Sequence, residues 1–195
     1  PGTLPRVYDV TQQLAEPELD VLEHFGCDVI DLENSLGRWG NWQRWTLPDG
    51  EPCELPADVQ LERVNGDWFI VRDGVRVFRM PAGGLYFDQV YWPLAEAHSV
   101  ADLERYAWPH ISDARLRELR ERAAWLCHNT DFAIMGGFGG NIVEMGQGLL
   151  GWERFMMELA YGGAFIEAFL DWMADNWIAD LERYLEAVGP YIQII

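Results

Sequence analysis

The amino-acid sequence predicts an α/β protein with an antiparallel β-meander inserted between a strand and a helix of its main scaffold. Short apolar runs that suit buried strands alternate with long segments of helical periodicity, a pattern typical of a parallel sheet covered by helices. Between residues 37 and 93 this alternation gives way to short strand-like segments. Asn65-Gly66 and Asp73-Gly74 separate those segments and indicate tight hairpins.

Composition limits the classes of function. The chain has 195 residues, 49% of them hydrophobic, and a net charge of -18, which disfavours nucleic acid and anionic membranes as partners. Every one of the 14 basic residues is Arg. Within this part of the protein, mechanisms that need a lysine are therefore excluded, and bases must come from His, Asp or Glu. Because no bilayer-length apolar segment or targeting signal is present, we expect a cytoplasmic protein.

The cysteines and histidines give no metal signature. Three cysteines and four histidines are scattered along the chain without a recognised zinc spacing. An odd number of widely spaced cysteines also disfavours a disulfide framework. We therefore expect reduced, mostly buried thiols and no metal site built from these residues alone.

In the first half of the chain, Pro and Gly residues mark the boundaries of the predicted helices and strands. A helix over 18–25 begins after Pro17 and stops at Gly26, and a short strand over 27–32 follows, with Glu33 and Asn34 at its carboxyl end. Alternating residues then predict three meander strands, at 59–64, 68–72 and 75–80.

The second half is mainly helical. Ser99 and Asp102 indicate a capping box for a short helix ending near Ala107, and a long helix is predicted over 113–129. A buried strand at 132–135 precedes further helices at 152–161 and 164–188, and the aromatic face of the last helix is interpreted as core. A final strand over 191–195 has no helix after it, so the sequence is expected to be a piece of a larger α/β protein.

The segment 132–148 is the strongest candidate for a functional site. Glycines at 136, 137, 139 and 140 permit a sharp turn and close approach of a ligand. Asn141, Glu144 and Gln147 follow at helical spacing and share one face. Two interpretations stay open, a ligand-facing polar trio or an N-cap at Asn141 with Glu144 capping back onto it. Neither a dinucleotide fingerprint nor a P-loop is present.

Five segments in order resemble the uroporphyrinogen decarboxylase superfamily, in its divergent methyltransferase-like branch: Met80–Asp88, Tyr91–Leu94, Ser99–Leu103, Gly136–Asn141 and Gly151–Phe155. The resemblance covers residues 20–195. It implies an incomplete (β/α)8 barrel over 1–195, with 37–93 as the meander insertion and a cleft at the carboxyl ends of the strands. It also implies a small-molecule or corrinoid-protein substrate, with homodimerisation as a further expectation.

The resemblance implies a set of site residues. Asn141 and Glu144 are the expected catalytic residues, and the expected substrate-binding residues are Gln147, Phe138, Gly139, Gly140, Asp31, Glu33 and Asn34. The leading expectation is corrinoid- or thiol-dependent methyl transfer. Its zinc would be supplied by a His-x-Cys motif and a later Cys beyond residue 195, because no such motif stands in this sequence.

Two other functions are considered. Cofactor-free decarboxylation of a tetrapyrrole is disfavoured because the Arg-Gln-Ala-Gly-Arg-Tyr motif of the decarboxylases is absent. Gln147 also stands near the position where those enzymes have a tyrosine after the glycine turn. This function would need Arg38, Arg44 and Arg79 to bind the carboxylates of the substrate. A non-catalytic interaction module would instead use an exposed row of Trp39, Trp42 and Trp45 with the loop 85–92.

Overall fold

The computed structural model describes residues 4–34 and 40–195, which form a mixed α/β arrangement. The described helices are α1 (Leu19–His24), α2 (Val100–Arg105), α3 (Asp113–Asn129), α4 (Ile142–Leu150), α5 (Trp152–Tyr161) and α6 (Ala164–Val188). The described strands are β1 (Val7–Asp9), β2 (Leu14–Ala15), β3 (Val29–Asp31), β4 (Trp42–Thr46), β5 (Pro52–Pro56), β6 (Gln60–Val64), β7 (Asp67–Arg72), β8 (Val75–Met80), β9 (Asp88–Gln89) and β10 (Ala133–Met135). The chain divides into two compact units.

The first unit, Pro1–Cys27 with Asn34–Tyr91, is mainly antiparallel, with one parallel bridge between Arg6 and Glu54. Strands β6, β7, β8 and β9 form one sheet in that order, and β4 pairs with β5 and β1 with β2 in two smaller sheets. Apolar side chains from these strands and the segments beside them form the core: Val7, Val10, Cys53, Leu55, Ile70, Met80 and Phe87. Burial of this apolar surface is what holds the small sheets together.

The predicted meander is confirmed, and its turns explain its register. Asn65 and Gly66 have φ of 52° and 94°, and Asp73 and Gly74 have φ of 50° and 77°. Two consecutive positive φ angles match the twist of the flanking strands, which is why Asn-Gly and Asp-Gly suit two-residue hairpins. The β4–β5 hairpin and the short strands β1, β2 and β9 were not predicted.

The predicted aromatic row is not a fully exposed surface. Trp42 and Trp45 are partly buried, with Arg6 stacked 5.3 Å from the ring centre of Trp42. Trp45 packs edge-on against Trp68 at 5.9 Å between ring centres. Trp39 and Arg38 lie outside the described residues.

The second unit, Asp28–Glu33 with Trp92–Ile195, holds the long helices. Helices α3, α5 and α6 have the predicted bounds, and the predicted capping box forms before α2, where Asp102 accepts hydrogen bonds from the Ser99 N–H and hydroxyl. The aromatic face of α6 is core, as expected. It packs in a cluster of buried residues: Leu94, Ala97, Leu103, Trp108, Leu149, Leu150, Phe155, Ile166, Phe169 and Met173.

Parallel pairing is confined to a small part of this unit. β10 pairs in parallel with β3, with Met135 opposite Asp31, and one further parallel bridge joins Met135 to Ile194. The expected strand over 191–195 is reduced to that bridge, flanked by hydrogen bonds between Gln193 and Ile134.

The predicted partial (β/α)8 barrel is wrong. The described residues form separate sheets of two to four strands, mostly antiparallel, with no barrel-like parallel sheet. Strands β3 and β10 are three residues each, too short to carry the continuous ladder that a barrel wall requires. The alternation of apolar runs with helices specified the elements without specifying how the strands pair.

Two further findings concern the surface. All three cysteines are free, but only Cys53 is buried, so the expectation of mostly buried thiols is wrong for Cys27 and Cys127.

Within the described ranges, none of the helices combines the length and apolar character needed to cross a membrane.

Candidate functional site

The candidate site begins where β10 ends. Gly136 follows the strand and is buried, whereas Gly137 and Gly139 are exposed. Gly139 and Gly140 have φ of 89° and 72°, a left-handed backbone that glycine adopts without strain. The glycine turn, residues 136–140, therefore leads from the end of β10 to the N-terminus of α4 with only one side chain, that of Phe138.

A pocket of about 430 Å³ lies between the glycine turn and α6. Its lining combines the backbone of the turn with apolar side chains: Gly136, Gly137, Phe138, Gly139, Gly140, Trp177, Ile178, Leu181, Leu185 and Ile195. Phe138 packs edge-on against Trp177 at 5.3 Å between ring centres. A pocket of this size and character suits a small, mainly apolar ligand.

Two carboxylates lie beside the turn. Asp31 is the last residue of β3, and its Oδ1 accepts a hydrogen bond from the Glu33 N–H at 2.7 Å. A Cβ atom on Gly137 would lie 3.7 Å from Asp31 Oδ2 and 3.9 Å from Glu33 Oε1. The parallel pairing of β3 with β10 thus brings both carboxyl groups to a residue that lines the pocket.

An arginine on α3 binds one oxygen of Glu33. Arg115 on α3 donates from Nη2 to Glu33 Oε2 at 3.1 Å and from Nη1 to Glu118 at 3.0 Å. Burial raises the pKa of Glu33, and the attraction of Arg115 opposes this without cancelling it. Oε1, which Arg115 does not bind, faces Gly137 and belongs to a carboxyl group with a raised pKa.

Tyr184 on α6 reaches the buried end of the turn. Its side chain is 1% exposed, and its hydroxyl lies 2.7 Å from the position that a Cβ on Gly136 would take. Burial raises the pKa of Tyr184 first, and the negative charges of Glu33 and Asp31 raise it further, so the phenol stays protonated. Within the described part of the chain, neither this hydroxyl nor Trp177 Nε1 has a hydrogen-bond partner.

The predicted site residues Asn141, Glu144 and Gln147 are not among the residues that line the pocket. Asn141 caps the helix and accepts a hydrogen bond from the Glu144 N–H at 3.1 Å, as the capping interpretation expects for Asn141. Glu144 is exposed, and Gln147 donates to the sulfur of Met156 at 3.8 Å. Asn34 is partly buried and belongs to the first unit.

The described residues form no zinc site of their own. Across 4–34 and 40–195, no three His, Cys, Asp or Glu side chains gather as a metal site would require. The pocket lining contains no imidazole or thiol that could ligate zinc or cobalt. The chemistry considered below therefore involves only side chains of this chain.

Sequence reasoning missed Arg115, Trp177 and Tyr184 as site residues. Trp177 and Tyr184 are seven apart on α6 and both contact Phe138, and Trp177 also lines the pocket. Their spacing was visible in the sequence. Trp177 belongs to the aromatic face that the sequence predicts as core, because a polar atom on an aromatic ring does not alter the helical period, and Tyr184 is not part of that predicted face.

Comparison with known proteins gives no relative. No protein-family model, curated protein or solved structure matches the chain. The support for a function therefore comes from the geometry around Glu33 and the glycine turn, together with the resemblance noted in the sequence.

Proposed function

We propose that this chain is part of an enzyme that acts on a small molecule and that Glu33 transfers a proton in its reaction. The observation that carries the proposal is the placement of Glu33 Oε1 against Gly137, a pocket residue, on a carboxyl group whose pKa is raised by burial. Proton transfer by a carboxyl group works best when its pKa approaches the working pH. Desolvation moves Glu33 in that direction.

The two oxygens of Glu33 have separate tasks in this proposal. As an acid, Glu33 gives the proton on Oε1 to the departing atom of the substrate, and the bond that breaks leaves its electron pair on that atom. The carboxylate that forms is stabilised on Oε2 by Arg115, 3.1 Å away. Arg115 is thus a positioning residue, because it touches Glu33 and Glu118 rather than the pocket.

Methyl transfer is the reaction class we favour. The methyl group leaves the substrate oxygen for the sulfur of a thiolate acceptor, so a C–S bond forms as the C–O bond breaks. The electron pair of the C–O bond stays on the oxygen, which takes the proton from Glu33. Decarboxylation of a carboxylate-rich substrate needs cations, and among the described residues none of those lining the pocket is an arginine. Of the arginines expected for that role, Arg79 is bound to Asp67 at 2.7 Å.

The test uses the purified protein with a set of O-, N- and S-methylated compounds and a small thiol as acceptor, followed by NMR for loss of the methyl signal. A carboxylated set, followed for released carbon dioxide, covers the alternative. Glu33→Gln is expected to lower kcat by roughly 100-fold or more. Glu118→Gln, which also removes a partner of Arg115, is the matched control and should retain activity. Unchanged turnover in Glu33→Gln removes Glu33 from the mechanism.

We further propose a cytoplasmic location and no nucleic-acid or membrane partner. Two of the three free cysteines, Cys27 and Cys127, are exposed, which suits a reducing compartment. The net charge of -18 repels other polyanions.

A further inference from the structure

We propose that a second pocket, in the first unit, binds a small organic cation, a primary amine with an apolar body. The pocket has a volume of about 770 Å³, a size typical of small-molecule sites. Its described lining comes from the end of β1 and the turn after it, the start of β6 and the β7–β8 hairpin. All of these segments belong to the first unit, so the inference is independent of Glu33.

The floor of this pocket is apolar. Val10 and Ile70 belong to the buried core of the first unit, and Val59 and Phe78 pack against that core. A polar group of a ligand placed on this floor would lose its water without gaining a hydrogen bond, which is unfavourable. The part of the ligand that reaches the floor is therefore hydrocarbon.

Three aspartates give the pocket its charge. Asp58 and Asp73 are exposed and Asp9 is partly buried. Asp9 is held in place by neutral donors, the backbone N–H and hydroxyl of Thr11 and the backbone N–H and side-chain amide of Gln12. None of the three carboxylates forms an ion pair with a described residue. Their negative charges are thus available to a cation of the ligand.

Arg72 is the cation of the described lining. Its guanidinium carbon lies 5.4 Å from the centre of the Phe78 ring, so it stacks on an aromatic side chain instead of pairing with an aspartate. Three carboxylates and one guanidinium leave the lining with a formal charge of -2. Such a lining attracts a cation and repels an anion.

The spread of the carboxylates favours an organic cation over a metal ion. Across residues 4–34 and 40–195, no three His, Cys, Asp or Glu side chains gather closely enough to hold a metal. An ammonium group needs no such shell, because it is attracted by charges at its periphery and donates hydrogen bonds to whichever oxygen lies nearest. The apolar floor then selects an amine that carries a hydrocarbon body.

The test compares three probes of one skeleton by saturation-transfer NMR on the purified protein at neutral pH and about 0.15 M salt, where long-range attraction is screened. They are 2-phenylethylamine, which is a cation, 2-phenylethanol, which is neutral, and 3-phenylpropionate, which is an anion. The wild-type protein should bind the amine roughly fivefold or more tightly than the alcohol, since one exposed ion pair contributes up to about fivefold. The anion should bind least.

The double variant Asp58→Asn/Asp73→Asn removes two charges of the pocket at exposed positions. Asparagine tolerates the φ of 50° at residue 73 as well as aspartate does, so the hairpin turn is kept. The amine should bind roughly fivefold more weakly to this variant, with the affinity for the alcohol unchanged. The matched control Asp171→Asn/Asp175→Asn makes the same change in net charge at exposed positions of α6 and should keep the preference.

Several results overturn the inference: equal binding of amine and alcohol by the wild-type protein, tighter binding of the anion, no binding at all, or an intact preference in Asp58→Asn/Asp73→Asn. An equal loss of preference in both double variants also overturns it, because the net charge of the chain would then explain the attraction. The location is checked in methyl-labelled wild-type protein. The amine must shift the Ile70 methyl signals, identified by their loss in Ile70→Val, and unshifted signals contradict binding in this pocket.

Discussion

At the scale of single residues, burial of Glu33 lowers the stability of the fold and also raises the pKa of the carboxyl group that we propose as a proton donor. Its pKa is raised because burial disfavours the charged form more than Arg115 favours it. The folded protein therefore binds this proton more tightly than the unfolded chain does. Glu33 destabilises the fold at a pH above its folded pKa, and this cost disappears as the pH falls below the ordinary value of 4.5.

Glu33→Gln is accordingly expected to raise the thermal midpoint at pH 7, because glutamine is neutral and nearly the same shape. The gain should shrink as the pH is lowered towards 4.5, where the wild-type carboxyl group is itself protonated. Thermal unfolding followed by circular dichroism across this range measures it. A variant less stable than the wild type at pH 7 would show that the ion pair with Arg115 outweighs burial.

Gly136→Ala should destabilise the protein by roughly 1–3 kcal/mol, since overpacking a close contact costs about that much. Its new methyl group would lie 2.7 Å from the Tyr184 hydroxyl and 3.1 Å from Ile192 Cδ1. Gly137→Ala is the matched control, because its nearest neighbour is 3.7 Å away. Urea unfolding of the two variants checks the difference, and equal stabilities would contradict the placement of Tyr184.

At the scale of elements, the sequence predicted what depends on local pattern. The apolar stripe Leu116, Leu119, Ala123 and Leu126 fixed α3, and the Asn-Gly and Asp-Gly turns fixed the meander, because helical period and turn geometry are local properties. Strand pairing is not local, so the β4–β5 hairpin was missed and a barrel was wrongly expected. In the site, Asp31 and Glu33 were expected from the resemblance, at the carboxyl end of a predicted strand. Arg115 and Tyr184 come from α3 and α6, and their approach to the glycine turn depends on tertiary packing.

Substitutions at Asn141 test whether its side chain stabilises the protein by capping α4. Asn141→Ala should cost about 1 kcal/mol of stability, typical of losing an N-cap side chain. Asn141→Ser keeps a hydroxyl that can accept from the Glu144 N–H, so it should restore most of that stability. Ser112→Ala, which removes the cap of α3, is a control of similar size. Chemical denaturation measures all three, and a Ser variant as unstable as the Ala variant would contradict a capping role.

At the scale of the whole molecule, the two units carry different kinds of structure. The antiparallel unit holds its strands by hairpin turns and an apolar core, and the helical unit contains the parallel pair and every contact of the proposed site. Arg154 illustrates how the helical unit organises its loops, since it donates to the carbonyl oxygens of Leu94, Ala95 and Ala97. The proposed chemistry therefore depends on the integrity of this unit.

The charge of the whole chain predicts a response to salt. A net charge of -18 opposes compaction through self-repulsion, and raising the ionic strength from about 0.01 M to about 0.1 M shortens the screening length from about 30 Å to about 10 Å. The thermal midpoint should rise over this range in two different 1:1 salts. A falling midpoint would show that screening of attractive ion pairs dominates.

The central claim is that Glu33 holds its proton more tightly than an ordinary glutamate. The most direct measurement is a ¹³C NMR titration of glutamate side-chain carboxyls, with the Glu33 signal identified by its loss in Glu33→Gln. The midpoint for Glu33 is predicted to lie above 4.5 and to rise further in Arg115→Met, because the arginine is the main group that lowers it. A midpoint at or below 4.5 in the wild-type protein would contradict the claim.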